Sequence, residues 1–250
     1  MEIGAQLYTV RDFCKPTEDF SQTLKKIADI GYKNVQVSGT CDYDPAWLKR
    51  ELDKNGLRCV LTHIPQERLV NDTVAVAKDH NIFDCSYVGL GWYDFGNSDF
   101  EEKLRCFKAT FSDVAKKLYD NGKYFMYHNH GTEFYKYDGK IILDHMAEMM
   151  PSKHMGFTLD TFWAQVGGAD PAQCIEKLSG RVPAIHLKDY AYDRKMAVVG
   201  EGNINFDRVF EKAEAAGTHY MLVEQDDCNG EDPFDCLARS YKNLKALGLC

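Results

Sequence analysis

Two histidines and a glutamate close the apolar, aromatic run Tyr124-Phe-Met-Tyr-His128-Asn-His130-Gly-Thr-Glu133-Phe134. Three later segments repeat the design, each an apolar run that ends in one side chain able to bind a metal. Asp160 follows Gly156-Phe-Thr-Leu, His186 follows Val182-Pro-Ala-Ile, and Glu224 follows Tyr220-Met-Leu-Val. Carboxylate and imidazole donors in this proportion suit a hard divalent cation, Mn²⁺ or Mg²⁺ first, with Co²⁺ or Zn²⁺ as alternatives. Three carboxylates packed together without a cation would repel one another, and at least one would protonate. Any one acid after a strand is, alone, more often a helix cap or a loop residue than a ligand, and Asp160 is placed to cap a turn beginning at Thr161. The ordered set on four successive strands is what points to one shared ion.

Convergence of those side chains requires a particular scaffold. Short apolar runs alternate with longer amphipathic ones from end to end. Strands are expected at about 3–8, 34–38, 57–63, 85–92, 124–128, 156–160, 182–186 and 220–224. Helices are expected between them, at about 17–30 with Thr17 as N-cap, 45–55, 66–80 and 98–121, then before Pro151, from Asp170-Pro171, from Asn205, and at about 233–247. Glycines at 31, 56 and 122 stand where helices should stop, and Asp170-Pro171 is a cap followed by a first-turn proline. Strand–helix alternation implies a parallel sheet with right-handed crossovers, and eight units in 250 residues match a closed (β/α)₈ barrel. A doubly wound open sheet would carry a glycine-rich nucleotide loop after its first strand, and Thr9-Val-Arg-Asp12 is not one. No linker, repeat or low-complexity tract interrupts the pattern, so residues 1–250 are expected to form a single α/β domain. In such a barrel the strand carboxyl ends ring one mouth about 4.8 Å per strand, close enough for neighbouring ends to share an ion.

Composition narrows the partners. Thirty basic against thirty-eight acidic residues give a formal charge of −8, which argues against nucleic acid as the main partner. The nine cysteines show no C-x-x-C pair, and several lie in apolar runs where a free thiol behaves as a small hydrophobe. The first residues lack a charged and apolar leader, and no run approaches the ~20 apolar residues that span a bilayer. A cytoplasmic protein with reduced thiols and no membrane partner is the expectation.

The motifs Tyr127-His-Asn-His-Gly-Thr-Glu-Phe134, Leu159-Asp-Thr-Phe-Trp163, His186-Leu-Lys-Asp189 and Gly200-Glu-Gly202, with Gln6-Leu-Tyr-Thr-Val-Arg-Asp12 at the start, resemble the sugar phosphate isomerase/epimerase family. The resemblance covers the whole chain and implies a xylose isomerase-like TIM barrel. It makes Glu133, Asp160, His186 and Glu224 the metal ligands, with Glu133 and Glu224 the acid/base pair of the epimerases. The superfamily also contains inosose dehydratases, lyases acting on 3-oxo-glycosides, and a DNA endonuclease branch. Epimerases of the family carry a substrate-binding histidine three residues after the aspartate, where this chain has Trp163. The His-Asn-His ending is closer to the dehydratase and 3-oxo-glycoside lyase side, where a histidine near the first glutamate is the base; His130 is the candidate and His128 the alternate.

The chemistry common to these reactions is removal of a weakly acidic proton beside a carbonyl. A divalent cation stabilises the enediolate that results, and a nearby base takes the proton. An isomerase or epimerase acting on a sugar, sugar phosphate or related keto-polyol is the first expectation. A lyase or dehydratase on an inosose or 3-oxo-glycoside is the alternative, and a non-catalytic sugar-binding barrel a further one. Further substrate contacts are expected from Tyr8, His63, Trp92, His128, Trp163, Lys188 and the loop residue Glu201. By analogy with the fold, a homodimer is a candidate assembly.

Overall fold

Each of the expected apolar runs forms a strand, because the residues on both of its faces find cover. In the computed structural model, which describes residues 1–96 and 98–249, eight parallel strands close into a barrel. They are β1 (Glu2–Gln6), β2 (Asn34–Val37), β3 (Arg58–His63), β4 (Tyr87–Leu90), β5 (Tyr124–His128), β6 (Met155–Asp160), β7 (Ala184–Leu187) and β8 (Tyr220–Val223). The order around the barrel is β1-β8-β7-β6-β5-β4-β3-β2. Outward side chains pack under the helices in a large core, where Phe20, Leu24 and Ile27 of the helix Thr17–Ile30 are fully buried. Spacings of three and four residues put these on one helix face, and each such side chain contributes about 1.5–3 kcal/mol on burial.

The barrel interior is layered. Tyr87, Tyr124 and Tyr220 lie against a small inner cluster of Val60, Leu61, Met126, Ala184 and Leu222. Gln6, Gln36, His128, Asp160 and His186 are polar and buried nearer the strand carboxyl ends. Alternation in β7 shows the logic: Ala184, His186 and Lys188 share one side, Ile185 and Leu187 the other.

The departures from expectation are local. The first strand stops at Gln6, because the Gln6 side chain accepts a hydrogen bond from the Tyr8 amide (3.1 Å) and turns the chain into a 3₁₀ segment, Leu7–Phe13. The first long helix is capped at Pro16 rather than Thr17. The helix expected at 66–80 is two, Gln66–Asn71 and Thr73–Ile82, broken at Asp72, where the Thr73 hydroxyl takes the Leu69 carbonyl (2.6 Å). Among the described residues no helix is long and apolar enough to cross a membrane, and the eight described cysteines are free thiols.

Candidate metal centre

Strand register assembles the polar layer. Asp160 at the end of β6 is the ladder partner of His186 on β7. Glu224 follows the last residue of β8, and its amide still bonds to the Leu187 carbonyl (3.2 Å), which continues the ladder. His128 is the final residue of β5. One donor atom from each of His128, Asp160, His186 and Glu224 lies within 4.8 Å of the others, and all four residues are buried. His128 Nε2 is 3.1 Å from Asp160 Oδ2, and His186 Nδ1 is 2.8 Å from Glu224 Oε2.

The outward nitrogens of both rings are held by the protein. His128 Nδ1 lies 2.9 Å from the Gly91 carbonyl, which can only accept, so Nδ1 carries a proton and Nε2 is the nitrogen turned inward. Gly91 itself packs on His63, and a Cβ there would come within 2.8 Å of the His63 ring. His186 Nε2 meets Gln36 Oε1 at 2.7 Å, leaving Nδ1 to face the carboxylates. This is the outer arrangement that orients metal-ligating histidines. Although 2.8 Å apart, His186 Nδ1 and Glu224 Oε2 are not aligned for a hydrogen bond, and both lack a hydrogen-bond partner. Two ligands at right angles, each ~2.1 Å from one ion, sit about 3 Å apart. The donor set therefore fits a divalent cation.

Without a bound cation, the charge of these groups would be balanced by protons and by Lys188. Burial disfavours an imidazolium at His186, but Glu224 and Asp160 outweigh it and hold the pKa up at about 9. Burial likewise opposes the Asp160 and Glu224 carboxylates, yet the Lys188 ammonium keeps both below the usual range. Lys188, also buried, is held charged by Asp160, Glu224 and Asp226. Burial and then the Glu224 charge push Asp226 up to about 6. Asp160 serves two readings at once, since Oδ1 accepts the Trp163 amide as an N-cap (3.0 Å) while Oδ2 faces the cluster.

The expected first ligand, Glu133, is elsewhere. Both of its oxygens are consumed locally: Tyr127 Oη of β5 donates to Oε1, while the His130 amide and the Thr132 hydroxyl of its own loop donate to Oε2, each at 2.9 Å. The residue is fully buried, and burial raises its pKa. The fourth donor of the cluster is His128, which the sequence pattern offered only as an alternate base or substrate contact.

The remaining candidates divide between the cavity and its surroundings. Tyr8, His63, Trp92, His128, His130 and Lys188 line a cavity of about 490 Å³ together with Glu224 and Asp226. His130 Nδ1 is buried without a partner, and burial, then the neighbouring His128, pushes its pKa down to about 3, so the ring is neutral. His63 Nδ1 pairs with the Ser38 hydroxyl (3.2 Å) and its Nε2 has no partner. Trp163 stands beside this group, 5.4 Å from the His130 ring and 5.8 Å from Lys188 Nζ, and lines a separate cavity of about 600 Å³ with Tyr190 and Met196. Glu201 is on the surface, paired to Arg239 at 3.0 and 3.1 Å. Its flanking glycines serve Asp189, whose carboxylate accepts the amides of Gly200 and Gly202 at 2.9 Å each. Arg11 donates to the carbonyls of Tyr8 and Asp226.

Sequence reading missed Gln36 and Asp226. A glutamine between two valines in β2 signals a polar side chain turned inward, and Asp226, two residues after Glu224, repeats the His186–Lys188 spacing.

A family model for the xylose isomerase-like TIM barrel matches residues 24–245. Inosose dehydratase of Clostridium beijerinckii is 23% identical over 267 residues, covering 90% of this chain and 89% of that protein. A solved sugar phosphate isomerase/epimerase from Parabacteroides distasonis superposes with a TM-score of 0.85 at 20% identity, covering 98% of this chain and 93% of its own. A second from the same organism gives 0.83 at 21%, covering 98% and 97%. At these identities the likeness to the solved structures is one of fold.

Proposed function

The chain belongs to the xylose isomerase-like TIM barrel family, and we propose that it is a divalent-metal-dependent lyase of the dehydratase kind, acting on a neutral keto-sugar or keto-polyol. The observation that carries this reading is the fate of Glu133. An epimerase needs an acid/base group on each face of the substrate, and the Glu133 carboxylate is spent on Tyr127, His130 and Thr132. The base left free on that side of the cavity is His130, neutral and with Nδ1 unpartnered.

His130 accepts the proton beside the carbonyl, and the electron pair of that C–H bond forms the new carbon–carbon double bond. The β-oxygen leaves with the electrons of its C–O bond and takes the proton carried by His130, departing as water or an alcohol and restoring the neutral imidazole. Held by His128, Asp160, His186 and Glu224, a divalent cation would polarise the substrate carbonyl and a neighbouring hydroxyl. Two imidazoles with two carboxylates are a softer set than three carboxylates with one imidazole, which favours Mn²⁺, Co²⁺ or Zn²⁺ over Mg²⁺. A neutral substrate follows from the cation inventory: Lys188 is the one lysine or arginine lining the cavity among the described residues, and it is already paired with Asp226. The inosose dehydratase relative agrees with this reading.

A sugar isomerase or epimerase is the second reading, favoured because Glu224 lines the same cavity as His130 and supplies a second acid/base group. One experiment separates the two. With Mn²⁺ in D₂O, the protein is given an inosose, a 3-oxo-glucoside and a ketohexose, and products are followed by NMR. The lyase reading expects an unsaturated product, lost by roughly 100-fold or more in His130→Gln; the isomerase reading expects a deuterated isomer. Absence of carbon–hydrogen exchange with every substrate would sink both.

A further inference from the structure

Lys188 lies inside the metal centre rather than beside it. It is two residues past His186, on the same side of the strand, and only 1% exposed. Its backbone is clamped, the amide donating to Thr161 Oγ1 (3.0 Å) while that hydroxyl donates to the Lys188 carbonyl (2.7 Å). Nζ is 2.8 Å from Asp226 Oδ2, 3.0 Å from Glu224 Oε2 and 3.2 Å from Asp160 Oδ2. Only the Asp226 contact is an aligned hydrogen bond. The other two oxygens are the ones that His186 Nδ1 and His128 Nε2 face, at 2.8 and 3.1 Å. An ammonium and a divalent cation are thus directed to the same two carboxylate oxygens.

We propose that Lys188 is a resident counter-cation of this centre, holding Asp160 and Glu224 in the ion-free protein and withdrawing onto Asp226 when the ion enters. Asp226 is built for that exchange. Its Oδ1 is buried with no partner, an open acceptor beside the Oδ2 that already binds the ammonium. Charge agrees: once His186 gives up its Nδ1 proton to bind the ion, the three carboxylates of Asp160, Glu224 and Asp226 against one ammonium leave two negative charges, which one divalent ion cancels without Lys188 losing its proton. A monovalent ion would leave one charge uncompensated, so the arrangement also selects for valence. Ion affinity is then lowered by the cost of moving the ammonium, and the ion-free barrel is spared the repulsion of bare carboxylates.

The inference rests on the metal-dependent reading above, and its test keeps the two apart. Calorimetric titration with MnCl₂, and melting with EDTA or Mn²⁺, are compared for the wild type, Lys188→Met and Asp226→Asn. Lys188→Met is expected to bind Mn²⁺ about tenfold tighter or more, to melt lower than wild type in EDTA, and to gain more on adding Mn²⁺. Asp226→Asn, which removes the charge awaiting the ammonium, is expected to bind several-fold more weakly. Equal or weaker binding by Lys188→Met overturns the counter-cation role and leaves the metal reading standing. Binding by Lys188→Met alone upholds that role and overturns metal dependence of the wild type; binding by neither overturns both. If Lys188→Met yields no folded protein under any condition, Asp226→Asn decides, and unchanged or tighter binding there overturns the proposal.

Discussion

The segments that follow β5 and β8 both carry a glutamate, and they use it in opposite ways. Glu224 comes directly after Val223, the last residue of β8, and its amide is still bonded to Leu187 across the ladder. The pleat therefore sets its direction, and its carboxylate enters the barrel. Glu133 stands five residues beyond the end of β5 at His128 (133 minus 128), in the 3₁₀ turn Gly131–Phe134. No ladder directs it there, and the donors it meets are those of its own turn and Tyr127 of β5. The lesson is positional. A side chain is committed to the mouth while the strand still holds its backbone; past that point, local hydrogen bonds decide.

The largest effects should come from exchanging the two carboxylates for amides. Glu224→Gln is expected to lose Mn²⁺ affinity and kcat/KM by more than about 100-fold, since even outer partners of metal ligands are worth roughly 10–100-fold. Glu133→Gln should hold Mn²⁺ within about threefold of wild type while unfolding ~1–3 kcal/mol more easily in denaturant, because its turn loses part of its acceptor set. If Glu133→Gln released the ion as Glu224→Gln does, at full stability, the contrast between the two segments would be gone.

Acid titration of the EDTA-treated protein should sharpen it. Glu224 has a folded pKa below the ordinary 4.5, so its contribution is present above that value and is lost as pH falls. Glu133 is raised above 4.5 by burial, so its contribution is present below that value and declines as pH rises through the folded pKa. From pH 3 to 7, the stability of Glu224→Gln relative to wild type should therefore fall, and that of Glu133→Gln should rise. Parallel profiles for the two variants would contradict these assignments. Least of all should change in Glu201→Ala, whose carboxylate is a surface partner of Arg239: under about 1 kcal/mol of stability and less than twofold in kcat/KM.

Much of this was legible in the chain. Periodicity marked the strands to within a residue or two, since apolar runs of that length between amphipathic segments are covered on both faces in a parallel sheet flanked by helices, and the count of eight units pointed to closure. Asp160, His186 and Glu224 were readable because each lies at or just past the end of such a run, within reach of the ladder. Lys188 was readable as inward-facing by the two-residue period. Glu133 was not readable: an acid five residues past a strand looks the same in sequence whether it turns inward or folds back onto its own turn. The placement of Glu201 was not readable for a related reason, since Gly200 and Gly202 give their amides to Asp189 and leave the residue between them on the surface.

By itself, then, the sequence determined the barrel and pointed to three of the four residues of the buried cluster, because hydrophobic period and strand ends are properties of short segments. Tertiary structure alone decided the rest. His128 became a donor when Gly91 of the neighbouring strand's loop fixed its outer nitrogen, and His186 was oriented by Gln36, 150 residues away in sequence. Lys188, just past β7, became part of the centre when the ends of β6 and β8 brought Asp160, Glu224 and Asp226 around its ammonium. Those outcomes depend on which groups compete for a donor or a charge at distances of about 3 Å, and such competitors meet only once the barrel has closed.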